Sequence, residues 1–418
     1  MKLKRSSFGV APELVDVEVT ELPEASLPER FSPDPPPSEA GALQPFGGAA
    51  QNSRSGANLG APTAYRWVQR FEVPLRPGTA HSVMWSGDRV LVQARLWQLF
   101  SLLDGRALRA GLGGPSPVAI CSEEGTFRFV SSDGTLDAYR LSDGEGLWSC
   151  GAPAGDGGPH PVLANVGRAT FLAGFERRVN PEAESFSPEF VAQWIDPTAV
   201  PDISPGGILR NARRSPALVG PAKGEFLGAA DARGVTLTQD DLILSLSLDQ
   251  QVTYARASRF SPRSVSRGGA GRSYLVVDTP DGAALWMINA QGERVFARPL
   301  PKSSRVPPIV AADHRVFVST DDELLAFDPE GRPLWGVSSP LAPRAVVTAD
   351  GWLLVSLGEE LRAFDAEGRS AVLSYSVGRP FVTAPVITAH GEILVATTET
   401  LVCLSYEELT FAAGYRPA

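Results

Sequence analysis

The residues able to do chemistry are few and scattered. There are four histidines, His81, His160, His314 and His390. His81 and His160 each stand just before an apolar segment, while His314 and His390 each sit in the turn after one. Two of them could meet from different repeats, but no third ligand recurs with them at a fixed spacing, so turn and capping roles are expected. Cys121, Cys150 and Cys403 show no CxxC spacing. Odd in number and far apart, they read as reduced thiols of a cytosolic chain. Serines are frequent, yet no Gly-x-Ser-x-Gly elbow is present and no spacing binds Ser, His and Asp together. Neither a Walker loop nor a dinucleotide fingerprint occurs. Gly268-Gly269-Ala270-Gly271 is followed by Tyr274-Leu275-Val276-Val277, which reads as a strand where a phosphate-cradling loop needs a helix. No catalytic residue, no cofactor and no metal site is expected.

Arginine is the one polar residue placed non-randomly. It recurs in the links between successive apolar units: Arg76, Arg109, Arg213, Arg214, Arg256, Arg259, Arg263, Arg305, Arg344 and Arg379. Alternating strand direction would bring these links to one face, together with the acidic turns Asp321-Asp322-Glu323 and Glu359-Glu360. Local ion pairing across that face is one reading, with little energy in each surface pair. At Arg213, Arg214, Arg256, Arg259 and Arg263, however, arginines outnumber nearby acids. The planar guanidinium fork suits carboxylates and phosphates. These five residues are therefore the candidate contacts for a protein partner with an acidic surface.

The elements that must position them are strands. Units starting at Pro308, Ala345 and Pro385 lie 37 and 40 positions apart, the length of one four-stranded propeller blade. Each runs apolar segment, polar turn, apolar segment, acidic turn, apolar segment, Gly turn. Eight such units can be laid out, with inner strands near Ser82, Pro117, Pro161, Pro216, Arg263, Pro308, Ala345 and Pro385. Tight turns fall at Leu103-Asp104-Gly105, Ser142-Asp143-Gly144, Ala290-Gln291-Gly292, Pro329-Glu330-Gly331 and Ala366-Glu367-Gly368, where Gly supplies positive φ. Four residues after the Gly comes a large ring at Trp148, Phe296 and Trp335; Arg109 and Val372 depart from the rule. Phe175 to Pro205, rich in proline, reads as a long insertion in or after the third unit. The last unit stops after three strands at Cys403-Leu404-Ser405, and the orphan segment Tyr65 to Phe71 supplies its fourth, leaving no unpaired edge.

Leu325-Ala326-Phe327-Asp328, continuing to Gly331 and Trp335, resembles the pyrroloquinoline-quinone-like propeller repeat family. Leu361-Arg362-Ala363-Phe364-Asp365 to Gly368 is a second copy, and Leu136-Asp137-Ala138-Tyr139 to Trp148 a looser one. Phe46-Gly47-Gly48 through Arg54-Ser55-Gly56 is similar to the lead-in such propellers carry. The resemblance covers residues 46 to 406. It implies blades, without specifying an activity. Quinone enzymes of the family carry adjacent cysteines, a calcium held by Glu and Asn, and a catalytic Asp. Adjacent cysteines are missing here, and so is a CxxCH haem attachment. The resemblance also allows an exported assembly factor, similar to the propeller lipoprotein of outer-membrane β-barrel insertion, or a small-anion-binding sensor or enzyme using the arginine collar.

Residues 1–62 differ from the rest. Between Glu13 and Glu39 the single basic residue Arg30 stands among many acids, followed by Pro33, Pro35, Pro36 and Pro37. So little apolar burial predicts a disordered acidic arm, ahead of a propeller over residues 63–418. Within it Glu13 to Val19 alternates apolar and acidic residues, and could add as an edge strand. The net charge of −9 argues against nucleic acid as a partner. No stretch approaches a membrane span and no apolar leader follows Met1-Lys2-Leu3-Lys4-Arg5. The sequence therefore leads to an all-β, eight-bladed propeller with a disordered N-terminal arm. The expected role is that of a cytoplasmic, non-enzymatic scaffold, monomeric within a multi-protein assembly.

Overall fold

The computed structural model describes residues 1–6, 13–26, 59–60, 62, 65–76, 80, 82–94, 96–112, 118–121, 125–130, 135–151, 162–166, 169–180, 185–196, 213–214, 217–221, 226–231, 233–247, 249, 251–376 and 378–408. Among these residues the elements are strands, apart from a 3-10 turn at Gly269–Gly271, and the strands form eight sheets.

Six of the sheets are simple meanders in which each strand pairs antiparallel with the one before it, or begin as one. The first runs Ser82–Ser86, Arg89–Gln93, Leu96–Ser101, Ala107–Leu112, and the second from Val118–Cys121 to Gly146–Gly151. The fourth runs from Phe226–Asp231 to Val252–Ala257, the fifth from Pro262–Arg267 to Arg294–Leu300, the sixth from Ile309–Val310 to Pro333–Ser338, the seventh from Arg344–Val347 to Ser370–Tyr375. Short apolar runs closed by glycine turns can form little else. Second strands such as Thr126–Val130 and Leu353–Leu357 are buried along their whole length, because a neighbouring sheet covers each face. Outer strands such as Pro333–Ser338 alternate between half-buried and exposed residues.

The eighth sheet consists of Val386–Ile387, Ile393–Ala396 and Thr400–Glu408, and takes its fourth strand from Tyr65–Pro74. Pairing runs from Thr400↔Pro74 to Glu408↔Tyr65. Trp67 sets its ring edge-on to Tyr406 at 5.8 Å. First strands of consecutive sheets lie against one another from the second sheet through to the seventh, and the eighth lies against the first.

Two expectations about the third and fourth sheets are corrected. The fourth inner strand is Phe226–Asp231, not a segment starting near Pro216; Ala217–Pro221 instead belongs to the third sheet. Ala217-Leu218-Val219 is as apolar as an inner strand, and periodicity cannot separate the two. The proline-rich stretch from Phe175 is largely strand as well. Ala169–Asn180 and Ser185–Asp196 form one long hairpin, paired from Thr170↔Ile195 to Asn180↔Ser185; residues 197–205 of the expected insertion lie outside the described residues.

The arm is the larger correction. Residues 1–62 are not one disordered segment, because their described parts join the sheets. Lys2–Ser6 pairs with Ala217–Pro221 and Glu13–Asp16 pairs back on Lys2–Ser6, widening the third sheet to seven strands. The composition of the whole arm conceals a local apolar face. Leu3 and Val17 are buried against Phe171, Ala192, Val235 and Leu244, which offsets the ordering cost. Leu59 is buried in the core of the seventh and eighth sheets, and the amides of Leu59 and Gly60 donate to the Asp350 carboxylate at 2.8–3.1 Å. The boundary at residue 63 therefore falls inside the folded body.

Candidate interaction surface

The five candidate arginines divide into three environments. Arg213 and Arg214 form a two-residue bridge to Asp196 and Ile195 at the end of the long hairpin; their side chains are outside the described residues. Arg256, Arg259 and Arg263 lie together where the fourth sheet passes to the fifth.

Arg256, on the outer strand of the fourth sheet, reaches into the turn of the fifth. Its Nε donates to the Gly292 carbonyl at 2.9 Å and its Nη2 to the Gln291 carbonyl at 3.0 Å. The guanidinium lies over its own strand's Tyr254, 5.8 Å from the ring centroid. A third donor, Nη1, meets Thr20 Oγ1 at 2.7 Å. Arg259 holds positive φ, 62°, in the link and pairs with Glu21 at 2.6 Å. The Glu21 hydrogen bond, then its charge, raise the Arg259 pKa above its ordinary value. Arg263 pairs with Asp278 at 2.5 Å. Burial would raise the Asp278 carboxyl, but hydrogen bonds from Ser303 and Arg263 and the charges of Arg263 and Arg305 hold it below its ordinary value.

The acids that the sequence did not place beside these arginines thus come partly from the N-terminal arm. Thr20–Glu21 pairs parallel with Arg256 and Ala257, and Glu24 bridges Arg294 on the outer strand of the fifth sheet. Elsewhere the link and turn residues pair locally: Lys302 with Asp322, and Arg379 with Glu72 at 3.5 Å and Glu399 at 3.6 Å. Arg344 is largely buried, and desolvation lowers its pKa.

Two positions of this surface were not among the sequence candidates, Glu24, which pairs with Arg294, and Arg298. Arg298 repeats the role of Arg256 one sheet further on, donating to the carbonyls of Gly331 (2.9 Å) and Glu330 (3.0 Å) over the ring of Phe296. The recurring pattern of aromatic residue, one intervening residue, then Arg was the available signal.

The remaining candidates are structural where described. His314 occupies a turn with φ 67°, buried, with Nδ1 3.3 Å from Arg272. The amide of His390 donates to Thr388 Oγ1. His81 and His160 lie outside the described residues. Cys403 is a buried free thiol, and desolvation pushes its pKa up to about 11. No group of three or more metal-ligating residues occurs among the described residues, and no helix among them is long and apolar enough to cross a membrane.

Residues 321–410 match the family model of the outer membrane protein assembly factor BamB. No curated protein matches the chain. Among solved structures, BamB from Moraxella catarrhalis superposes with a TM-score of 0.53 at 13% identity, covering 81% of this chain and 99% of that one. The computationally designed Ika8 protein superposes with a TM-score of 0.55 at 12% identity, covering 79% of this chain and 97% of that one. At such identities the likeness is one of fold. Together with the strand-by-strand repeats, it makes this an all-β protein of propeller-like fold, whose residues 321–410 match a pyrroloquinoline-quinone-like repeat family.

Proposed function

We propose that the chain is an eight-bladed propeller, closed through Tyr65–Pro74, that works as a non-enzymatic scaffold in a multi-protein assembly. Closure is supported by a contact repeated between sheets. Gly105 of the first sheet packs on Phe71 of the eighth in the way Gly331 of the sixth packs on Phe296 of the fifth.

The observation that carries the scaffold reading is the third sheet. Its central strands are 12 residues each, about 40 Å at ~3.3 Å per residue, whereas the central strands of the other sheets have 4 to 9 residues. A hairpin of that length exceeds what closing a blade requires and leaves sheet surface to offer a protein partner. The partner surface is acidic where it meets Arg213 and Arg214, and the scaffold is monomeric within the complex. The cytoplasm is the compartment proposed, on the scattered thiols.

A second reading is favoured by the match to BamB, an outer membrane protein assembly factor by description: a scaffold in the cell envelope. Fractionation separates the two compartments. The scaffold itself is tested with a photo-crosslinking amino acid at Arg178, in the long hairpin, against one at Val372, on the outer strand of the seventh sheet. A discrete protein adduct from position 178 alone is expected. Equal labelling at both positions, or none at either, would refute the hairpin as the docking element.

A further inference from the structure

The segment Thr20–Ala25 is bound as a ligand is bound. It crosses from the outer strand of the fourth sheet (Val252–Ala257) to that of the fifth (Arg294–Leu300), using three kinds of contact within six residues. The main chain pairs with both strands: the Leu22 amide donates to the Ala257 carbonyl at 3.0 Å, the Arg294 amide to the Pro23 carbonyl at 2.7 Å, and the Ala25 amide to the Arg294 carbonyl at 3.0 Å. One apolar side chain, Leu22, packs on the cluster that contains Tyr254 and Trp286 between the two sheets. Two carboxylates flank it, Glu21 on Arg259 and Glu24 on Arg294, the latter guanidinium lying 4.6 Å over the Trp286 ring. Pro23 lacks an amide proton, so the chain leaves one edge there and takes up the next.

We propose that this groove is a binding site for an extended acidic peptide of a partner protein, with an apolar anchor between two carboxylates three positions apart, and that Thr20–Ala25 is its resident, displaceable occupant. Strand addition supplies affinity through the main chain and specificity through alternate side chains. Charge complementarity selects an acidic peptide, because Arg256, Arg259 and Arg294 line the groove. The resident is easily lifted. Its strand pairing is parallel and only two residues long, and the Arg259–Glu21 pair is 69% and 74% exposed, hence weak. Lifting it leaves the Lys2–Ser6 hairpin in place, because that hairpin is closed by hydrogen bonds between Val17 and Met1 in both directions. What holds the segment is its tether, which gives it a high effective concentration. The groove would thus be a second contact of the proposed scaffold, gated by its own arm; it deepens that reading and does not depend on the long hairpin.

The probe is a fluorescein-labelled peptide of residues 17–26, titrated by anisotropy into the full chain. The full-length E21K/E24K variant, in which the resident is repelled, is expected to bind the probe at least about tenfold more tightly than the unaltered chain. Adding R259S should lower that affinity a few-fold, and a probe carrying Glu21→Gln should bind the chains with and without R259S alike. A probe with Leu22→Asp should not bind. Equal binding by the unaltered and E21K/E24K chains, with circular dichroism unchanged, would overturn the proposal, as would binding of the unaltered probe that ignores R259S. Light scattering that showed E21K/E24K-sensitive dimers would replace the partner peptide by a second copy's arm and likewise overturn it. If the probe fails while position 178 still crosslinks, the groove is refuted and the scaffold stands.

Discussion

Gly368 lies with its α-carbon against the indole of Trp335, one sheet away. Its φ is 81°, and a Cβ built on it would stand 2.7 Å from the ring Cγ. The same relationship recurs at Gly292 on Tyr254, Gly331 on Phe296 and Gly105 on Phe71. In each case the turn before one sheet's outer strand covers the aromatic residue on the outer strand of the preceding sheet. One residue type thereby meets two demands, a left-handed turn and a close approach to a ring.

Gly368→Ala should therefore be costly. The conformational penalty is roughly 1–2 kcal/mol, and the methyl overpacks the indole for about another 1–3 kcal/mol. Gly378 shares the first demand only, with φ 70° and nothing within 4 Å of a Cβ. Gly378→Ala should cost about 1–2 kcal/mol. Denaturant melts of both variants test the difference; equal losses would show that ring contact adds nothing.

Arg298 offers a second test of sheet-to-sheet adhesion. Its two donors hold the carbonyls of Glu330 and Gly331, which no other side chain is seen to satisfy among the described residues. Arg298→Ala should cost about 1–2 kcal/mol. Arg298→Lys should recover less than half of that, since a point charge cannot reproduce the fork. Full recovery by lysine would assign the effect to charge alone.

Much of the architecture was legible because the physics is local. Glycine turns and apolar runs mark seven of the eight inner strands, and they fail only where Ala217-Leu218-Val219 imitates one. The arm was misread for the opposite reason. Its order depends on partners far along the chain: Lys4 pairs with Val219 and Glu21 with Arg259. Glu13 to Val19 carried the local signal of an edge strand, and Glu13–Asp16 does form one, but nothing local names the sheet it joins. The same gap hid the acids of the collar. Arg256 and Arg259 look unmatched until Thr20 and Glu21 are brought over them.

Cys403 should be chemically inert. Burial pushes its pKa up to about 11, so at pH 8 only on the order of 0.1% is thiolate, against about a quarter for a free cysteine. In a C121S/C150S variant, alkylation by iodoacetamide at pH 8 should run at least about a hundredfold slower than for glutathione. It should approach the free rate once the protein is unfolded in denaturant. Rapid reaction in the native state would show that the eighth sheet opens around it.

Asp365 ties the seventh sheet's last turn to pH. Burial would raise its carboxyl, but the Arg369 side chain and the amides of Arg369 and Glu367 hold it below the ordinary 3.8. Its Oδ1 accepts those amides at 2.8 and 3.0 Å, and its Oδ2 accepts Arg369 Nε at 2.6 Å. A folded-state pKa lower than the unfolded one means that the ionised carboxylate stabilises the fold. That contribution is present in full above the ordinary carboxylate pKa and is lost as pH falls through the depressed one. Asp365→Asn keeps an acceptor for the two amides but loses the charge, so at pH 7 it should cost no more than about 1 kcal/mol, because the partner guanidinium is solvated. The deficit should shrink as pH is lowered below 3.8 and vanish once the wild-type carboxyl is itself protonated. Thermal melts of both proteins between neutral and acid pH give this difference directly. With Arg369→Gln already in place, the pH-dependent part of the deficit should fall, leaving only what the amides supply. A deficit that stayed constant into acid would mean that the carboxylate charge contributes nothing and that only the shape of the turn matters.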